Sequence, residues 1–124
     1  MMGMCEVNVR LSSLVAPDRS SEVSLLVDTG ATISWIPQEI LQSLGAQPFS
    51  RLPFSLADGR RLERDVTAVL VQIDGRKAPV EVAFGQEGEA AVLGVTALEG
   101  LGLIVDPVAK KLIPRDLLAL GHRR

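Results

Sequence analysis

Residues 25 to 37, "LLVDTGATISWIP", constrain this chain more than any other stretch. An apolar run, Leu25-Leu26-Val27, leads into Asp28-Thr29-Gly30. Two small residues follow, and then a second apolar run, Ile33 to Ile36. A buried Asp is costly unless it is paired or hydrogen-bonded. Two strand-like flanks with a carboxylate between them leave two readings. Asp28 is a turn residue bonded to its own backbone, or it is a reactive acid held in a dry frame.

The rest of the chain sets the context. "CEVNVRLSSL" (5 to 14) alternates as a strand does, "APDRSSE" (16 to 22) reads as a polar turn, and "VSLLVD" (23 to 28) reads as a strand buried on both faces. "TISWI" is β-branched and short. Pro37 suits the first turn of a helix, Glu39 complements its dipole, and Ile40, Leu41 and Leu44 form its apolar stripe. Gly45 is a stop signal. Further on, Asp58-Gly59 and Asp74-Gly75 mark two hairpins between strand-like runs. "EAAVLG" reads as a short strand, "VTALEGLG" as a short helix, and "LIVD" with "KKLIP" as a last hairpin across Pro107. "RDLLALGHRR" is a tail with helical character. Short strands with a turn signal about every ten residues argue a mostly β barrel or sandwich.

Composition excludes several classes. A chain of 124 residues is one domain, and 47% hydrophobic content is enough for a real core. That core is aliphatic, because aromatic residues make up only 3%. A net charge of −2, with a basic cluster only at Arg123-Arg124, argues against nucleic acid as the main partner. Cys5 is the one cysteine, so no intrachain disulfide framework exists, and a reducing, cytoplasmic location is expected. "MMGMCEVNVR" lacks the apolar core of a signal peptide, and the most apolar window (90 to 105) is broken by Glu99 and glycines, so no membrane association is expected. "GQEGEAAVLG" lacks the Lys-Ser/Thr of a phosphate loop, and His122 stands alone, so no cofactor or metal is expected.

Hydrolysis by carboxylates needs one group to take a proton from water and another to protonate the substrate. The other aspartates (18, 58, 65, 74, 106 and 116) lie in polar or turn contexts. If Asp28 is catalytic, its partner comes from a second chain, and a two-fold axis would set Asp28 against Asp28. Two carboxylates that close share a proton and titrate as a unit.

The chain resembles single-domain, retropepsin-like aspartic proteases of the bacterial type. The first motif is "LLVDTGA" (25 to 31), and the second is "VLGVTALEGLG" (92 to 102), two apolar residues and a Gly before a helix. Between them "LADGRRLERDV" (56 to 66) corresponds to the flap hairpin, and "LGLIVDPVAKKLIP" (101 to 114) resembles the closing strand-turn-strand. The resemblance covers about 5 to 114, within a single domain over 1 to 124 whose tail is 115 to 124.

It implies a mostly β, closed six-stranded acid-protease barrel with one or two short helices, acting as a homodimeric endopeptidase on peptides or proteins. Asp28 would activate water and donate the proton, one from each subunit. Thr29 would hydrogen-bond across the dimer axis, and Gly30 would permit the tight turn and the approach of substrate backbone. Ala31 would line the floor. Leu56, Ala57, Asp58, Gly59 and Arg60 would close over the substrate as the flap tip. Leu93 and Gly94 would support the Asp28 loop from below. The flap tip is more charged and less Gly-rich than in viral members. That feature favours the competing reading, a non-catalytic dimerisation or peptide-binding module on the same fold.

Overall fold

The computed structural model describes residues 5–116, and the tail beyond 116 lies outside them. Nine strands and two short helices follow one another in this stretch. β1 (Glu6–Ser12) and β2 (Ser20–Val27) form an antiparallel pair. β2 begins inside the segment read as a polar turn, because Ser20, Ser21 and Glu22 find backbone partners in Ser12, Leu11 and Arg10. β2 is buried at Leu25 and Val27 and only partly at Leu26, so its two faces are unequal.

β3 (Ser34–Pro37) runs directly into α1 (Gln38–Ser43). Pro37 ends the strand and caps the helix with φ −50° and ψ 132°. A proline costs nothing there, since the first helical N–H groups have no intrahelical acceptor. Glu39 lies in the first turn, and Leu41 and Leu44 are buried. Gly45 follows in the left-handed region at φ +75° and ends the helix.

β4 (Ser50–Ser55) and β5 (Arg61–Ile73) form a hairpin around Asp58-Gly59, and β5 pairs with β6 (Arg76–Gly85) around Asp74-Gly75. β7 (Val92–Leu93) leads into α2 (Val95–Leu101), which ends on Gly102 at φ +69°. Arg76 donates to the Leu101 carbonyl at 2.9 Å, satisfying an open end of α2. β8 (Leu103–Asp106) and β9 (Lys111–Pro114) form a separate two-stranded sheet.

The main sheet runs β1-β2-β7-β3-β6-β5-β4, and β1 also pairs with β5. That pairing closes six strands into a ring, with β4 outside it as the partner of β5. The aliphatic core fills the interior: Leu11, Leu25, Val27, Ile36, Val69, Val82 and Leu93 are all essentially inaccessible. β7 lies between β2 and β3, parallel to the first and antiparallel to the second. Its position brings the end of β2, and hence Asp28, above the start of α2. Among the described residues no helix is long and apolar enough to cross a membrane.

Candidate active site

Asp28 is the first residue beyond β2. Its N–H donates to the Leu93 carbonyl at 3.0 Å, so β7 holds the loop where the strand ends. The Ala31 N–H donates back to the Asp28 carbonyl at 3.1 Å and closes a tight turn. The carboxylate Oδ1 accepts the Gly30 N–H at 2.9 Å. The turn bond of the first reading of Asp28 is present. The side chain is bonded as in a polar turn, and it is half-buried in the lining of a groove. Glycine suits position 30, because a Cβ there would lie 3.2 Å from that same carboxylate oxygen.

Four hydrogen bonds tie the loop and the start of β3 to Gly94 and the first turn of α2. The Val95 N–H donates to the Ala31 carbonyl at 2.8 Å. The Thr96 N–H and hydroxyl both donate to the Thr32 carbonyl, at 3.1 and 2.8 Å. The Gly94 N–H donates to Ser34 Oγ at 2.9 Å, and Ser34 is fully buried. Gly94 packs against backbone: a Cβ would lie 2.7 Å from the Ala31 oxygen and 2.9 Å from the Ile33 carbonyl carbon. Leu93 is fully buried beneath.

The groove encloses about 1020 Å³. Asp28, Gly30 and Ala31 line it from the β2–β3 loop, and Leu56, Ala57 and Arg60 line it from the β4–β5 hairpin. Thr29 is exposed and lies off the lining, as do Asp58 and Gly59 at the tip. The tip is internally satisfied. The Gly59 N–H donates to the Leu56 carbonyl at 3.0 Å with φ +89° at Gly59, and Leu56 N–H donates to the Arg60 carbonyl at 2.8 Å. Asp58 accepts from the Arg60 N–H at 3.0 Å and pairs with the Arg60 guanidinium at 2.7 Å. The tip charges thus neutralise each other within the turn.

Several lining residues escaped the sequence reading. Trp35, Leu52, Phe54, Leu62 and Glu89 all face the groove. The cross-strand pairs Leu52–Arg64 and Phe54–Leu62 put these four side chains on one face of the hairpin. The alternation in "LPFSL" was the available signal for Leu52 and Phe54. Arg64 gave none, since a lone Arg in a strand reads as a solvated residue. It pairs with Glu89, with Nε 3.2 Å from Oε1, and its guanidinium lies 5.6 Å from the Trp35 ring centroid. The Phe54 ring meets Trp35 edge-on, with centroids 5.2 Å apart and planes at 65°.

Glu89 also accepts the Gln86 N–H at 2.7 Å. Burial acts to raise its pKa, but the hydrogen bonds from Arg64 and Gln86 and the Arg64 charge outweigh it, and the carboxyl lies below its ordinary value. Among the described residues no group of His, Cys, Asp and Glu is arranged to hold a metal ion.

The Asp28 carboxylate thus stands on a tight loop that Gly94 and the first turn of α2 brace, in a groove that the β4–β5 hairpin also lines. The solution structure of the simian foamy virus (mac) protease matches with a TM-score of 0.54 at 18% identity, over 77% of this chain and 92% of that one. The crystal structure of the prototype foamy virus protease-reverse transcriptase aligns at 21% identity over 90% of this chain, which spans only 12% of its length, with a TM-score of 0.46. A search of the curated proteins finds no significant match. The family described as "gag-polyprotein putative aspartyl protease" matches residues 19–100. The chain belongs to that family of retropepsin-like aspartic proteases.

Proposed function

We propose that this protein is a homodimeric aspartic endopeptidase whose catalytic dyad is Asp28 from each of two subunits. The observation that carries the reading is the Asp28 carboxylate, half-buried in the lining of a groove of about 1020 Å³ that the β4–β5 hairpin also lines. Family membership supports an aspartic protease chemistry, and one chain supplies one Asp-Thr-Gly. A second carboxylate therefore comes from a second copy, related by a two-fold axis.

In this reading one Asp28 is ionised and its partner protonated, since two adjacent carboxylates do not both ionise readily. The ionised carboxylate takes a proton from a water held between the two. The water oxygen bonds to the peptide carbonyl carbon, and the protonated carboxyl gives its proton to the carbonyl oxygen. The tetrahedral diol then collapses. The protonated carboxyl gives its proton to the amide nitrogen, the C–N bond breaks, a diol hydroxyl returns its proton to the ionised carboxylate, and a new carboxyl and a new amine leave with the dyad's single proton restored. The mechanism calls on no metal or organic cofactor.

The remaining residues have supporting roles. Gly30 lets the substrate backbone approach, and Ala31 lines the floor. Thr29, exposed beside the dyad, braces the loop of the partner subunit across the axis. Leu56, Ala57 and Arg60 cover the bound peptide, and Asp58 and Gly59 shape the turn that presents them. Leu93 and Gly94 hold the loop from below.

A mixed peptide library tests the proposal, with cleavage read by mass spectrometry from mildly acidic to neutral pH. Cleavage by the wild type that disappears in a still-dimeric Asp28→Asn supports it. A dimeric wild type that cleaves nothing overturns it and moves the assignment to a peptide-binding module.

A further inference from the structure

The β4–β5 hairpin has a second face. Leu62 lines the groove, and strand alternation turns Glu63 and Asp65 to the opposite side. A separate cavity of about 340 Å³ has Asp65 in its lining and shares no residue with the groove. Gln38 and Gln42, four residues apart on one face of α1, form one wall. Ala46, Gln47 and Pro48 from the loop between α1 and β4 form another. Asp65 and Phe84, from the paired strands β5 and β6, complete it.

Hydrogen bonds hold the loop wall in place. The Ala46 N–H donates to the Leu41 carbonyl at 3.1 Å, which ties the loop to α1. The buried Thr67 hydroxyl donates to the Gln47 carbonyl at 2.8 Å, and the Phe49 N–H donates to the Val66 carbonyl at 3.0 Å, which tie it to β5. Phe49 follows Pro48 at the rim and is 62% exposed, so an apolar shelf stands beside a polar cavity.

The charge of this face is unbalanced. Asp65 is the one charged residue of the lining. Its partner Arg51 lies 3.0 Å from it and also pairs with Glu63 at 3.2 Å. Two carboxylates share one guanidinium, so the group keeps a net charge of about −1. All three side chains are about half exposed, and an ion pair in that setting is weak enough to admit a second cation. Each Gln amide adds a carbonyl acceptor. A carboxylate and three amide carbonyls around one cavity suit a cation with many donors, and a guanidinium offers five N–H groups in one plane.

We propose that this cavity binds an arginine side chain of a partner polypeptide, with an apolar neighbour of that arginine packed on Phe49. Asp65 takes a charge-assisted hydrogen bond from the guanidinium, and the Gln38, Gln42 and Gln47 carbonyls accept from its other N–H groups. The site lies on the face of the hairpin away from the groove, so it stands whether or not the chain cleaves peptides.

Solution NMR of the full-length chain tests this, because glutamine side-chain amides give their own signals. The probe is acetyl-Leu-Arg-Leu-amide, compared with the same peptide carrying neutral citrulline or lysine in place of arginine. The Gln38, Gln42 and Gln47 signals shift on titration, and those of Gln72 and Gln86 stay in place as references. Arginine binds about tenfold more tightly than citrulline and about threefold more tightly than lysine. Asp65→Asn weakens the arginine peptide about tenfold, and Phe49→Ala about fivefold. Glu63→Gln removes the same charge but no lining group, and weakens binding less than about twofold. Both charge variants keep side-chain size at an exposed strand, and an unchanged backbone spectrum confirms their fold. Equal binding of arginine and citrulline overturns the proposal, as does the absence of binding. Shifts spread evenly over all these glutamines, or a loss in Glu63→Gln as large as in Asp65→Asn, mean diffuse attraction to a charged face and overturn it too.

Discussion

Gly94 lies so close to Ala31 that a Cβ on residue 94 would sit 2.7 Å from the Ala31 carbonyl oxygen. The oxygen is backbone and is already engaged by the Val95 N–H, so it has nowhere to move. Gly94→Ala is expected to destabilise the fold by about 1–3 kcal/mol, as overpacking does. The displaced loop carries Asp28, so activity falls further than stability. Thermal unfolding beside peptide cleavage checks both; an unchanged Tm contradicts the packing argument.

Ser34 offers a milder cut at the same support. Ser34→Ala leaves the buried Gly94 N–H without its acceptor and is expected to cost about 1–3 kcal/mol. Denaturant unfolding measures it. Ser34→Thr keeps the hydroxyl and adds a methyl in a fully buried position, so rescue is partial at best.

Glu89 gives a pH signature. Its carboxyl pKa is lowered on folding from the ordinary 4.5, so its contribution to stability is present above that value. The contribution fades as pH falls through the lower folded value. Glu89→Gln therefore costs about 1–3 kcal/mol near pH 6, and the gap to wild type narrows as the pH falls below 4.5. Unfolding free energies of both proteins across that range supply the check, and a gap that widens in acid contradicts the assignment.

At the hairpin tip, Gly59 has φ +89° in open space. Gly59→Ala is strained by backbone conformation alone and is expected to cost about 1 kcal/mol, with no clash. The tip covers the substrate in the proposed mechanism, so kcat/KM falls while the Asp28 loop is untouched. Replacing Asp58 by Asn retains the turn acceptor and removes the charge paired with Arg60, and a smaller change is expected.

Much of this architecture was legible in the sequence, for local reasons. Asp28-Thr29-Gly30 and Leu93-Gly94 are short motifs whose residues interact with their own surroundings. Pro37 and Gly45 bound α1, and Asp58-Gly59 and Asp74-Gly75 mark both hairpins, because these residues act through their own φ and ψ. The β1–β5 pairing that closes the ring is set by register between distant segments, which no local pattern encodes. The start of β2 was missed because serines read as loop until a neighbouring strand supplies their partners. Arg64 was invisible for a related reason. The β4–β5 register turns it inward, and Glu89, 25 residues away, supplies the charge that pairs with it there.

The central claim is that one active site needs two copies of Asp28. Subunit mixing tests it most directly. Wild type and Asp28→Asn are combined in equal amounts, allowed to exchange subunits, and assayed at constant total protein. If the dyad spans two subunits, mixed dimers are inactive and only about a quarter of the wild-type activity remains. Half of the activity, falling in proportion to the wild-type fraction, would mean that each chain works alone and would contradict the account.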